Sequence, residues 1–241
     1  MLVEVACIRL ESPRDRKLCL HNAPYDKRNA ALRFALTDGI RILSRMSKHV
    51  FHLLQDTQDS TMVYYIGQWR SLACYADFRA SENRREFLAA LQDFNASLAW
   101  QELYDTDFRY PRKFASRLLR GFSDLFAAPL VGIMRFRFDQ DLRHGRLRMD
   151  VDEVLSHNNI YTDHRYLVSS KPRMWLNRDV LLSGVSMHPD EPQQTACLAI
   201  GEWRPKDRGS GNSMGSGLES NRLIPAYSEI DMRIASPIHL I

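Results

Sequence analysis

The chain has no long greasy run and almost no cysteine chemistry to offer. Nowhere in its 241 residues do 18 apolar residues stand together, so no membrane-spanning helix is expected. Four cysteines, Cys7, Cys19, Cys74 and Cys197, are scattered without a CxxC spacing. That argues against zinc and against a disulfide framework, and suits reduced thiols in the cytoplasm. No basic segment followed by an apolar stretch opens the chain, so no secretory signal is expected. The glycine-rich stretch at 209–217 lacks the lysine and the strand–helix context of a phosphate loop. Gly184-Val-Ser-Met lacks the closing glycine of a nucleophile elbow. Excess charge is modest, with a net +4. It is uneven, however: ten Lys/Arg stand against three Asp between Arg109 and Arg148. That stretch reads either as solvated faces or as a patch for an anionic partner. Its phenylalanines sit at core-like spacing rather than as stacking platforms, so nucleic acid is not an expected partner.

What is present is the composition of a folded domain, 44% hydrophobic and 26% charged. In the first half the pattern changes period in a regular order. Residues 2–10 are rich in Val, Ile and Leu and predict a strand. Asn22 and Pro24 offer a helix start, and Leu32, Ala35, Leu36, Gly39, Ile40 and Leu43 make one apolar stripe. Residues 49–55 and 61–70 predict two strands around the turn-forming 56–60. Leu72 to Phe78 predict a short helix or turn. Ser81 caps a helix carrying Phe87, Leu88, Leu91 and Phe94, and 98–106 predict a fourth strand. The order β-α-β-β-α-β is ferredoxin-like.

On the strand at 61–69, Met62, Tyr64 and Ile66 point one way and Val63, Tyr65 and Trp69 the other. Both faces are apolar, so both need cover: helices on one side, a second sheet on the other. The chain supplies that by duplication. Ile66-Gly-Gln-Trp-Arg70 recurs as Ile200-Gly-Glu-Trp-Arg204. Strands are expected again at 130–138, 180–188, 195–204 and 228–236, with a helix at 149–168. The expected fold is α+β: two tandem ferredoxin-like halves, 1–106 and 130–241, packed sheet to sheet as a fused barrel. A helix at 107–129 connects them, and a Gly/Ser-rich loop at 209–217 replaces the second half's second helix. Such a fused pair can close its barrel alone and still form a homodimer.

The run from Gln68 through Trp69-Arg-Ser-Leu-Ala-Cys-Tyr-Ala-Asp-Phe78 to Glu86-Phe-Leu88 resembles the antibiotic-biosynthesis monooxygenase type of dimeric α/β-barrel protein. Where that family often has His, this chain has Phe78, counted here with the substrate-binding residues. The resemblance covers residues 1–106 well and 130–241 weakly. It implies a mostly apolar pocket between sheet and helices, and an enzyme of small aromatic or polyketide-like molecules working without metal or flavin.

Several side chains are candidates for that chemistry, each beside a plainer reading. His52, mid-strand, is a general base in an apolar pocket or a satisfied core histidine. Tyr64, Tyr65 and Trp69, and Trp203 of the repeat, are core aromatics or donors that orient a substrate carbonyl. Glu153, His157, Tyr161 and His164 share a helical face, either solvated or an acid/base wall; the two histidines are too far apart for zinc. Arg135 and Arg137 share a strand face, meeting solvent or binding a carboxylate or enolate, and His188 ends a strand near them. The expected function is a cofactor-independent cyclase, isomerase or decarboxylase acting on a hydrophobic aromatic, polyketide or terpenoid intermediate. Its nearest variant is a cofactor-free monooxygenase of a phenolic or anthrone-type substrate. The rival from another class is a non-catalytic protein that binds a lipophile or a partner.

Overall fold

A computed structural model describes residues 2–10, 27–109, 122–138, 174–187, 195–205 and 229–238. Among these residues there are eight strands: β1 (Leu2–Leu10), β2 (Phe51–Asp56), β3 (Met62–Trp69), β4 (Ala96–Arg109), β5 (Val131–Phe138), β6 (Met174–Ser186), β7 (Thr195–Pro205) and β8 (Glu229–Pro237). Among the described residues there are three α-helices: α1 (Lys27–Ser47), α2 (Leu72–Ala80) and α3 (Glu82–Gln92). Every strand expected from the residue pattern is there. β4 and β6 are longer than expected, β4 running to Arg109 and β6 beginning at Met174. The connecting segment expected at 107–129 therefore starts within β4. Its far end, Phe122–Ala127, is a 3-10 helix, and 110–121 lie outside the described residues. So do the helix expected at 149–168 and the loop at 209–217. No helix among the described residues is long and apolar enough to cross a membrane.

The strands form one closed antiparallel barrel in the order β1-β3-β2-β8-β5-β7-β6-β4. Within the first half the order is β4-β1-β3-β2, and within the second it is β8-β5-β7-β6. These are the same arrangement, since β5, β6, β7 and β8 stand in turn for β1, β2, β3 and β4. The halves meet along two seams, β2 with β8 and β4 with β6. Closure of this kind leaves no sheet edge unpaired.

Strand alternation divides the core in two. Inside the barrel lie Val3, Val5, Cys7, Met62, Tyr64, Ile66, Val131, Ile133, Leu198 and Ile200, drawn from both halves. Outside, under the helices, lie Ala6, Ile8, Val63, Tyr65 and Trp69 with Leu36, Ile40, Phe78 and Phe87. The helices approach closely: a Cβ at Gly39 would stand 2.3 Å from the Phe87 ring, so any side chain there would force that ring to move. Ser81 serves both short helices. Its hydroxyl donates to Phe78 O, ending α2, and accepts from Arg84 N, starting α3.

β4 contains one bulge. Cys7 pairs with Trp100 but Ile8 pairs with Leu98, leaving Ala99 as an extra residue. Beyond it Trp100 and Tyr104 join the inner cluster, while Ala96, Leu98 and Leu103 join the outer one.

Candidate active site

The outer face of β1 holds a carboxylate where an apolar side chain would be expected. Glu4 stands between Val3 and Val5 and is 2% exposed. Trp69 Nε1 donates to its Oε2 at 2.6 Å, and Gln101 Nε2 donates to its Oε1. Arg79 in turn donates to Gln101 Oε1 at 3.3 Å and to Tyr75 OH at 3.3 Å. That contact fixes the amide: its oxygen faces the guanidinium, so its NH2 must face Glu4. Burial pushes the Glu4 carboxyl above the usual range. The bonds from Gln101 and Trp69 and the charges of Arg79 and Arg84 oppose this only in part.

Beside Glu4 is a cavity of about 20 Å3 walled by Ile8, Leu43, Tyr65, Phe78, Phe87 and Leu98, with Arg84 and Gln101 as its other polar groups. That is room for about one water molecule. Aromatic rings pack in and around its walls: Trp69 meets Tyr75 edge-on at 5.5 Å and lies 5.3 Å from Phe78, and Tyr65 meets Phe87 edge-on at 5.6 Å. Tyr65 directs its hydroxyl to Leu36 O at 2.9 Å, so only its ring faces the cavity wall. Chemically the arrangement is a desolvated carboxyl, oriented at both oxygens, in an apolar chamber between sheet and helices. Such a group holds a proton more readily than a carboxyl in water and can pass it to or from a bound molecule.

The sequence-predicted residues fall on both sides of the sheet. Tyr65, Trp69 and Phe78 lie on the helix side with Glu4. His52 does not join them: it pairs with Ile66 and stacks at 4.2 Å on Phe126, which belongs to the inner cluster. Its Nε2 is buried with no hydrogen-bond partner among the described residues, and burial pushes its pKa down to about 4. Tyr64 is inside the barrel, donating to the buried Asp56 at 3.2 Å. Arg135 also belongs to the interior. It reaches Glu102, with its guanidinium 3.8 Å over the Trp100 ring, while Tyr104 donates to the same carboxylate. Its charge is thus taken up by the chain itself. The side chains of Arg137 and Trp203 lie outside the described residues, as do His157, Tyr161 and His188 altogether.

Glu4, Gln101, Arg79 and Arg84 were not singled out by the sequence pattern. One signal was there: a lone acidic residue inside an otherwise apolar strand.

The two halves differ at the positions of this carboxylate and its amide partner. Glu4 pairs with Gly67 in β3, and at the matching place in the second half Gly132 pairs with Gly201 in β7. Likewise Ala6 pairs with Gln101, whereas Met134 pairs with Met232. Glycine and methionine thus replace the carboxylate and its amide partner. The tryptophan alone recurs, as Trp203.

Among the described residues no cluster of three or more His, Cys, Asp or Glu could hold a metal ion. No family model and no curated protein matches the chain. Solved structures similar to it include a candidate monooxygenase from Fusobacterium nucleatum subsp. nucleatum, 8% identical, with 99% of this chain and 92% of that chain covered at a TM-score of 0.48. Another is a candidate monooxygenase from Lactobacillus acidophilus, 9% identical, with 99% and 95% covered at 0.42. A third is an anthrone oxidase-like protein, 9% identical, with 99% and 92% covered at 0.46.

Proposed function

We propose that this chain is an enzyme in which Glu4 moves a proton on a hydrophobic aromatic, polyketide or terpenoid intermediate, leading to cyclisation, isomerisation or decarboxylation. The observation that carries this reading is the Glu4 carboxyl: buried, held at both oxygens by Trp69 and Gln101, and facing an apolar cavity. Desolvation raises its proton affinity, so the ionised form is a stronger base than a carboxylate in water. The apolar walls select a hydrophobic substrate and keep water from competing for the proton. Arg84, at the same cavity, supports the negative charge left on the substrate when Glu4 takes the proton. Because the chamber holds about one water, substrate entry moves α2 and α3, two short helices of 9 and 11 residues that roof it. Oxygen insertion is the near variant: the same carboxylate deprotonates a phenol or anthrone, the carbanion reduces dioxygen to form a carbon-bound hydroperoxide, and O–O cleavage leaves one oxygen on that carbon as a carbonyl and releases the other as water.

Glu4→Gln is the direct test. In a screen of anthrones and aromatic polyketide intermediates, turnover by the variant should fall by about 100-fold or more. Activity of the parent should fall on acidification as the raised carboxyl takes up a proton. Unchanged turnover in a folded Glu4→Gln protein would end the proposal. Running the parent reaction without air separates the variants, since only oxygen insertion then stops.

A further inference from the structure

A second, larger concavity of about 540 Å3 lies where α1 ends and β2 begins. That volume suits a small organic ligand. Among the described residues its charged lining is Arg45 and Lys48, beside the polar His49, Gln68, Ser44 and Ser123, and Val50 and Phe122 add apolar surface. Among the described residues Arg45 donates to the neutral Asn83 Oδ1, at 3.4 Å. Among the described residues no carboxylate pairs with Arg45 or Lys48. The C-terminal end of α1 welcomes positive charge, but its dipole amounts to about half an elementary charge. The two exposed cations, Arg45 and Lys48, exceed that, so among the described residues the charge balance over the concavity is positive.

The backbone that carries Lys48 and His49 is held in place. Ser47 is fully buried, and its Oγ bonds both the N–H and the carbonyl of His49, at 3.1 and 3.0 Å. Lys48 N–H reaches Ser44 O at 3.0 Å, and Lys48 takes a left-handed φ of 66°. A bulky residue adopts that conformation only where its surroundings impose it. The backbone of the turn therefore need not order on binding, which favours affinity. Val50 beside it is 57% exposed, an apolar side chain left open at the rim of a cationic site.

The geometry points to a binding site for a small soluble phosphate monoester, its phosphate among Arg45, Lys48 and His49 and its aromatic or aliphatic end against Val50 and Phe122. Phenyl phosphate and inorganic phosphate are the probes, titrated calorimetrically into the full chain. Phenyl phosphate should bind at least about tenfold more tightly than inorganic phosphate. Its amide shifts in NMR should concentrate at 44–50 and 122–123. Arg45→Gln combined with Lys48→Asn, the asparagine being tolerated at positive φ, should weaken it by about tenfold or more. Val50→Ser should narrow the gap between the two probes while leaving inorganic phosphate unchanged. No saturable binding below about 10 mM, shifts that fall elsewhere, or equal affinity in the double variant would each overturn the site. So would binding to phosphatidic acid vesicles without binding to phenyl phosphate.

Discussion

Glu4 is a buried titratable group and His52 a half-buried one whose Nε2 is enclosed, and desolvation moves them in opposite directions. For His52 the folded pKa, about 4, lies below its ordinary 6.5. The unfolded chain therefore binds the extra proton, and stability is lost as pH falls from 6.5 toward 4. At pH 5 the loss is about 2 kcal/mol. His52→Phe places a ring on the Phe126 stack and removes the orphaned nitrogen. The variant should be the more stable protein at pH 7, and its lead in urea unfolding should widen by about 2 kcal/mol at pH 5. A constant lead would mean the imidazole takes up its proton in the folded state. Glu4 has the opposite sign. Its raised carboxyl binds a proton more readily when folded, so its contribution is whole below 4.5 and declines as pH climbs through the raised value.

At the scale of elements, much was legible before any coordinates. Strand positions follow from runs of Val, Ile and Leu, and the two faces of β3 from alternation alone. Ser81 was readable as a cap because a hydroxyl stood just ahead of an amphipathic helix. It carries two duties, so Ser81→Ala should cost about 1 kcal/mol for the lost cap of α3, with a further penalty from the freed end of α2. Thermal unfolding measures the loss. Faster hydrogen exchange should be confined to 72–92, and uniform exchange would contradict this account. The Glu4 site was not legible, because its partners are 65 and 97 residues away in sequence. A glutamate in a strand reads as solvent-facing until Trp69 and Gln101 are seen to bracket it. The same limit applies to His52: which face it takes depends on its register with β3, and a slip of one residue would have put it beside Tyr65.

For the molecule as a whole, the barrel interior joins the halves through polar as well as apolar contacts. Glu102 on β4 and Arg135 on β5 are not neighbouring strands in the barrel, so their ion pair crosses its interior. Both side chains are only 12% exposed. Arg135→Met leaves the Glu102 carboxylate buried without its cation and should cost about 3 kcal/mol or more in chemical denaturation. Adding Glu102→Gln should recover at least half of that. If the double variant is no better than the single, the pair is not coupled across the barrel. The duplicated Ile-Gly-x-Trp-Arg pattern made the two halves visible in the sequence. It could not show that one had kept glutamate and glutamine where the other has glycine and methionine, because that correspondence comes from strand pairing.

The extra alanine in β4 has a consequence for how this chain can change length. It switches the phase of the strand, so that residues before it serve the surface under the helices while Trp100, Glu102 and Tyr104 serve the opposite side and Gln101 still reaches Glu4. Deleting Ala99 would force a choice between losing Ala96 and Leu98 from one cluster or inverting everything that follows. Descendants of this sequence can therefore lengthen or shorten in the turn ahead of β4 far more readily than within it.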